Sequence, residues 1–155
     1  MGTYTYLRFS GQLKREHAKE IKKLFDMGQP TVVDSEGKNE WELFAERHDF
    51  AKHLASLPRA TQIPFGAITA YNRDKAGTDD AFSNVFFGDD EQAWAFQCDL
   101  KDYDGEIEAF LTEVAPEICE RFVAEEWLEE CDFPIVHAYN LGGYLNEIKR
   151  KGAKP

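Results

Sequence analysis

The chain has 155 residues, of which 43% are hydrophobic and 14% aromatic, a composition that excludes a disordered chain and indicates one folded domain. Its formal net charge is −11, which argues against direct nucleic-acid binding because phosphates would be repelled. No apolar run approaches the ~20 residues of a membrane-spanning helix, and the first residues lack the features of a signal peptide. We therefore expect a cytoplasmic protein with no membrane association.

The N-terminal region predicts a strand followed by a helix. Tyr4, Tyr6 and Phe9 favour a strand over residues 3–9, because aromatic side chains suit a pleated surface. Residues 13–26 have the periodicity of a helix with one buried face. Its face residues recur at intervals of three and four: Leu13, His17, Ile21, Leu24 and Phe25.

A second strand is predicted at residues 40–47, where Trp41, Leu43 and Ala45 alternate with charged residues. Alternation of this kind is typical of a half-buried strand, because successive side chains point to opposite faces. A short helix is expected to follow at residues 50–57.

The middle of the chain predicts a strand at residues 65–71 and then an antiparallel hairpin. The hairpin consists of apolar strands at residues 81–87 and 93–98, joined by a polar loop that contains glycine. A helix capped by Asp104 is expected at residues 105–115, since its apolar positions have helical spacing.

Two structures compete for residues 117–131. A stripe at four-residue intervals favours a helix, and we predict one: Cys119, Val123, Trp127 and Cys131. The alternative is a strand over residues 121–130 that pairs with the next apolar run. That run, residues 133–139, predicts the last strand.

The order of these elements predicts an α+β fold, in which helices cover one face of a mostly antiparallel sheet. The order permits a ferredoxin-like arrangement. Residues 1–148 are predicted to form a single domain, and residues 149–155 read as a basic, frayed C-terminal tail.

Residues Asp99–Asp132 form an acidic module. The module contains thirteen acidic and two basic residues, so its charge equals the net charge of the whole chain. Aromatic residues such as Trp127 run through it, which indicates a folded segment with carboxylates on its surface.

No motif in the sequence identifies a catalysed reaction. Residues 102–107 resemble the middle of a calcium-binding EF-hand loop with Gly105 at position six. Positions one and twelve would then be Leu100 and Leu111, which cannot ligate calcium. The histidines and cysteines lack zinc-site spacing, the three cysteines are expected in the core, and phosphate-binding glycine motifs are absent. We expect no cofactor and no metal.

The leading hypothesis is a non-enzymatic protein that binds a basic protein partner, as an inhibitor or nucleic-acid mimic that blocks a nucleic-acid-binding machine. The predicted contact residues are Glu117, Glu120, Glu125, Glu126, Trp127, Glu129 and Glu130. The alternative is a small enzyme or ligand-binding domain in which His137 or His17 acts with carboxylates. A dimeric structural protein is the third possibility.

Overall fold

Five strands form one antiparallel sheet in the computed structural model, which describes residues 4–26, 37–66, 85–90, 92–129 and 131–141. The strands are β1 (Thr5–Leu13), β2 (Val85–Phe87), β3 (Ala93–Leu100), β4 (Cys119–Leu128) and β5 (Ile135–Tyr139). The described helices are α1 (Arg15–Phe25), α2 (Glu40–Arg47), α3 (Lys52–Ser56), α4 (Gln62–Phe65), α5 (Glu106–Ala109) and α6 (Ala115–Ile118). A 3₁₀ turn (Asp49–Ala51) precedes α3, and a π turn (Phe110–Val114) joins α5 to α6.

The spatial order of the strands is β2-β3-β1-β4-β5, and each neighbouring pair is antiparallel. Helices lie between β1 and β2 in sequence, and again between β3 and β4. The first four strands therefore have the connectivity of a ferredoxin-like fold, and β5 extends the sheet beyond β4. The predicted α+β class with an antiparallel sheet is confirmed.

The core lies between the helices and one face of the sheet, and Phe9 is at its centre. Four aromatic rings surround the Phe9 ring at centroid distances of 4.9–5.5 Å. Three come from the sheet and one from the π turn: Trp94, Phe96, Phe122 and Phe110. This face of the sheet is the inner face.

The outer face of the sheet is partly buried as well. Tyr6, Gln97 and Asp99 alternate with inner-face residues and are almost completely buried. The Tyr6 hydroxyl donates a hydrogen bond of 2.5 Å to Oε1 of Gln97, so part of the outer face holds buried polar groups.

Residues 40–47 form helix α2, and the prediction of a strand there was wrong. Asn39 Oδ1 accepts a 2.9 Å hydrogen bond from the backbone N–H of Glu42, and Glu42 Oε1 accepts one of 3.3 Å from the backbone N–H of Asn39. This capping box starts a helix that buries Trp41, Phe44 and Ala45, which have helical spacing. The alternation of apolar and charged residues in this segment therefore does not reflect a strand.

The predicted helix at residues 117–131 was also wrong. The chain leaves α6 at Ile118 and enters β4, which pairs with β1 on one side and with β5 on the other. The alternative strand therefore describes the structure. Phe122 and Ala124 face the core. Because both faces of β4 carry acidic as well as apolar residues, the sequence shows neither a clear helical period nor a clear strand period.

The other predictions are mostly confirmed. The first strand and helix, the helix near residues 50–57 and the last strand all form, with shifts of a few residues at their ends. The hairpin also forms, although residues 81–84 of its predicted first strand lie outside the described residues. Cys98 and Cys119 are buried as predicted, but Cys131 is exposed, because it follows the end of β4. Most of the predicted strand at 65–71, and the tail at 149–155, lie outside the described residues; Phe65 itself ends α4.

Within the described part of the chain, no helix combines the length and the apolar character needed to cross a bilayer.

Candidate functional site

Carboxylates fix the loop that leads into α5. Gly105 occupies the N-cap position of α5, so the prediction that Asp104 caps this helix was wrong. Asp102 Oδ1 instead accepts a 3.0 Å hydrogen bond from the backbone N–H of Ile107 in the first turn. Glu106 is fully buried and accepts backbone N–H groups from Arg59 at 3.1 Å and Asp104 at 3.2 Å. These bonds hold the loop in one conformation next to the turn after α3.

A cleft of about 370 Å³ opens beside α5 and the β4–β5 pair. We call it the His137 cleft, and its described lining residues are Asp102, Gly105, Glu108, Leu111, Thr112, Glu126 and His137. His137 Nε2 lies 3.0 Å from Glu126 Oε1, and both side chains are about one-fifth exposed. The two residues are diagonal neighbours across antiparallel strands, since His137 lies opposite Ala124 and Glu126 lies opposite Ile135.

Asp102 is the half-buried carboxylate of the His137 cleft. Burial raises its pKa above 3.8, and the negative charges of Glu106 and Glu126 raise it further, although hydrogen bonds from backbone N–H groups oppose the shift. The cleft therefore gathers like charges where water screens them poorly. Such an arrangement favours a cationic ligand.

A second cleft, of about 450 Å³, lies on the other side of the same helical segment. We call it the His53 cleft; its described lining residues are His53, Asp104, Gly105, Glu108, Ala109, Thr112 and Glu113. His53 Nδ1 lies 2.6 Å from Glu113 Oε2. The two clefts share Gly105, Glu108 and Thr112 and together form the acidic groove.

The acidic groove contains five carboxylates, and the two clefts have no lysine or arginine among their described lining residues. The carboxylates are Asp102, Asp104, Glu108, Glu113 and Glu126. Arg59 Nη1 lies 3.4 Å from Asp104 Oδ2 at the edge of the groove, and the Arg59 guanidinium also lies over the Tyr103 ring. One of the five charges is thus partly offset.

The predicted contact residues that the structure describes do not share one surface. Glu125 and Glu126 are consecutive in β4 and point to opposite faces, so only Glu126 lines the acidic groove. Glu125 Oε1 accepts a 2.9 Å hydrogen bond from Trp127 Nε1, and Glu129 Oε1 accepts one of 3.0 Å from the Tyr4 backbone N–H.

The remaining predicted contact residues lie elsewhere. Glu117 is half-buried in α6, and Glu120 is exposed at the start of β4. Glu130 lies outside the described residues. Neither Glu117 nor Glu120 is among the described residues that line the two clefts.

A second cluster of ionisable groups lies between α1 and the end of α2. One nitrogen or oxygen atom from each of His17, Glu20 and His48 lies within 4.8 Å of the other two. His48 Nε2 is 2.8 Å from Glu20 Oε1, and Arg47 Nε donates a hydrogen bond to Glu20 Oε2.

Two of these groups have shifted pKa values. Burial, and then the neighbouring His48, lower the pKa of His17 below 6.5, so that its imidazole is neutral at pH 7. Burial opposes ionisation of Glu20, but hydrogen bonds from His48 and Arg47 outweigh it and lower its pKa. Glu20 is therefore an anion next to a neutral histidine.

Comparison with protein-family models, with curated proteins and with solved structures finds no match. Function must therefore be inferred from the groove and the cluster themselves.

Sequence reasoning identified His17, Glu126 and His137 as candidates but missed their partners. The sequence presents Asp102 as a residue of an incomplete EF-hand-like turn, and Glu108 as a residue in the first turn of a helix. The His17–Glu20 spacing of three on a predicted helix was a usable signal, because such residues share a face.

Proposed function

We propose that this protein binds a basic partner through the acidic groove. The observation that carries the proposal is the groove itself: two adjoining clefts lined by five carboxylates, with only His53 and His137 as titratable cations among their described lining residues. A partner's arginine or lysine would gain several charge-assisted hydrogen bonds there. This supports the leading hypothesis but moves its surface from residues 117–130 to the region around α5.

The dimensions of the clefts favour side chains as ligands. Their volumes of about 370 and 450 Å³ are near the lower end of the ~300–1,000 Å³ range of ligand pockets. Each has room for one extended side chain. Two basic residues of one partner could enter the two clefts on either side of Glu108.

The raised pKa of Asp102 also favours the binding of a cation. A cation beside Asp102 would offset the repulsion from Glu106 and Glu126 that disfavours its ionised form. The partner would therefore stabilise the protein on binding, since it binds the folded state alone. We propose further that this partner is itself a nucleic-acid-binding protein, because such proteins present clustered lysines and arginines to phosphates.

The proposal is tested with a fluorescent oligo-arginine peptide and the full chain, by anisotropy at several salt concentrations. We expect binding to weaken at least about tenfold between ~0.01 M and ~0.1 M salt, because the Debye length falls from about 30 to about 10 Å. Glu108→Gln with Glu113→Gln removes two groove charges and should weaken binding about tenfold, or about 1.4 kcal/mol.

A matched control removes two charges elsewhere. Asp26 and Asp89 are both exposed and line neither cleft, so Asp26→Asn with Asp89→Asn should leave affinity within about twofold. Equal losses in the two double variants would show that only net charge matters and would contradict a defined groove.

A second candidate function is proton transfer at His137, the alternative raised from the sequence. The 3.0 Å His137–Glu126 contact inside a cleft is the arrangement that acid–base chemistry requires. A screen of simple esters and phosphoesters with wild type and His137→Gln tests it. Turnover that disappears in the variant would favour this function, and turnover in neither protein would argue against it.

A further inference from the structure

We propose that His17, Glu20 and His48 form a binding site for one divalent transition-metal ion, with Zn²⁺ as the probe. The site is separate from the acidic groove, and the proposal stands whether or not the groove binds a basic partner. Its residues come from two helical elements: His17 and Glu20 lie three residues apart in α1, and His48 follows the last turn of α2.

The donor set matches that of known zinc sites. Two imidazoles and one carboxylate are the protein ligands of several catalytic zinc centres, with water in the fourth position. Imidazole ligands also suit nickel, copper and iron, whereas calcium and magnesium prefer oxygen ligands alone. Among the described residues, this is the only group of three that brings such ligand atoms together.

The ligand atoms need small movements to bind a metal. Bond lengths of ~2.0–2.1 Å place tetrahedral ligands about 3.3 Å apart. The three ligand atoms now lie within 4.8 Å of one another, and the His48–Glu20 contact is 2.8 Å. Binding would therefore require the longer separations to close by no more than about 1.5 Å and the His48–Glu20 separation to open by about 0.5 Å.

The surroundings of the cluster orient its ligands. The centroid of the His48 ring lies 4.4 Å from that of Phe44 and 5.2 Å from that of Phe50. The His17 ring packs against the same two rings, at centroid distances of 6.4 and 6.1 Å. Arg47 donates to Oε2 of Glu20, which leaves Oε1 directed at His48. An apolar shell and a hydrogen-bonded carboxylate are the outer-shell features that support metal ligands.

One unpaired atom points to a missing ligand. His17 Nδ1 is buried and has no hydrogen-bond partner among the residues that the structure describes. Buried polar atoms are nearly always paired, so this atom calls for an explanation. The side chains of Glu20 and His48 are 21% and 23% exposed, which gives a metal ion and a water ligand a route in.

The experiment is isothermal titration of Zn²⁺ into the metal-stripped, tag-free chain with Cys131→Ser, because that exposed thiol could also bind zinc. We expect one ion per chain. His48→Ala and Glu20→Gln should each weaken binding at least tenfold, as loss of even an outer-shell group does. His53→Ala is the matched control, since His53 also pairs with a carboxylate but has no third ligand.

Cobalt provides a second readout that a purely structural role would not move. Co²⁺ bound by this set should show strong visible absorption that is lost in Glu20→Gln, while circular dichroism verifies that the variant is folded. Absence of stoichiometric binding to the parent chain would overturn the proposal. So would equal loss of binding in His53→Ala, or unchanged binding in the folded Glu20→Gln variant.

Discussion

Replacing Asp102 separates the two roles of its carboxylate, as hydrogen-bond acceptor and as groove charge. The pKa of Asp102 in the folded chain lies above the ordinary value of 3.8, mainly because the group is buried. The folded state therefore binds this proton more tightly than the unfolded chain, and the ionised carboxylate lowers stability at pH 7. Asp102→Asn removes the charge and retains an oxygen for the Ile107 N–H, so we expect it to be more stable than wild type at pH 7.

Asp102→Ala removes both the charge and the acceptor. Neither variant carries a charge here, and only Asn keeps an acceptor for the 3.0 Å bond to Ile107, so Ala should be about 1 kcal/mol less stable than Asn at every pH. The advantage of Asn over wild type should be largest above the folded-state pKa and should disappear as the pH falls towards 3.8.

Urea unfolding followed by tryptophan fluorescence measures these differences, at a series of pH values from 7 downwards. The same variants should bind the oligo-arginine peptide more weakly than wild type, so the substitution would stabilise the chain while reducing function. An Asp102→Asn chain that is less stable than wild type at pH 7 would refute the reasoning that the groove concentrates unfavourable charge.

Three further predictions test the packing. Phe9→Ala should lower the free energy of unfolding by about 3–5 kcal/mol in urea titrations, because Phe9 is 1% exposed and four rings surround it; a loss below about 1 kcal/mol would contradict the core. Gly66→Ala should destabilise by more than about 1 kcal/mol in the same assay, since a Cβ atom would lie 2.0 Å from a backbone carbonyl oxygen of β3. In a thiol-reagent assay, Cys131 should react rapidly in the native chain, whereas Cys98 and Cys119 should react only after unfolding, because they are buried and burial raises their pKa values. Three fast thiols would contradict this arrangement.

The fold class followed from the sequence because most elements had one clear period. The first helix is one example, since its apolar residues were spaced for a single buried face. The β2–β3 hairpin is another, since two apolar runs flank a polar loop. Residues 40–47 show where this fails. Their alternation was compatible with a strand, but the Asn39–Glu42 capping box was also present in the sequence and would have indicated the helix.

Strand β4 shows a second limit. It lies second from one edge of the sheet, with a core-facing row that includes Glu126 and an outer row that includes Trp127. Because both rows mix acidic and apolar side chains, no hydrophobic period distinguishes strand from helix. The pairing with β1, over a hundred residues earlier, decides the outcome, and that contact is not visible in a single sequence.

The candidate site was only half predictable. Charge counting placed all five groove carboxylates inside the Asp99–Asp132 module. Charge counting also favoured residues 117–130 as the contact surface, because glutamates are densest there. In the strand that forms, successive side chains point to opposite faces, and this was not anticipated. The contact between His17 and His48 could not be predicted, since residues 40–47 were assigned to a strand and the helix that positions His48 was missed.

The most direct test of the central claim is a nuclear magnetic resonance titration of the isotope-labelled chain with the oligo-arginine peptide. The account predicts that the largest chemical-shift changes fall on residues 102–113, Glu126 and His137, and that they diminish as salt is raised. Shift changes centred on Glu117, Glu120 and Glu125, with the groove unaffected, would contradict it and would restore the surface expected from the sequence alone.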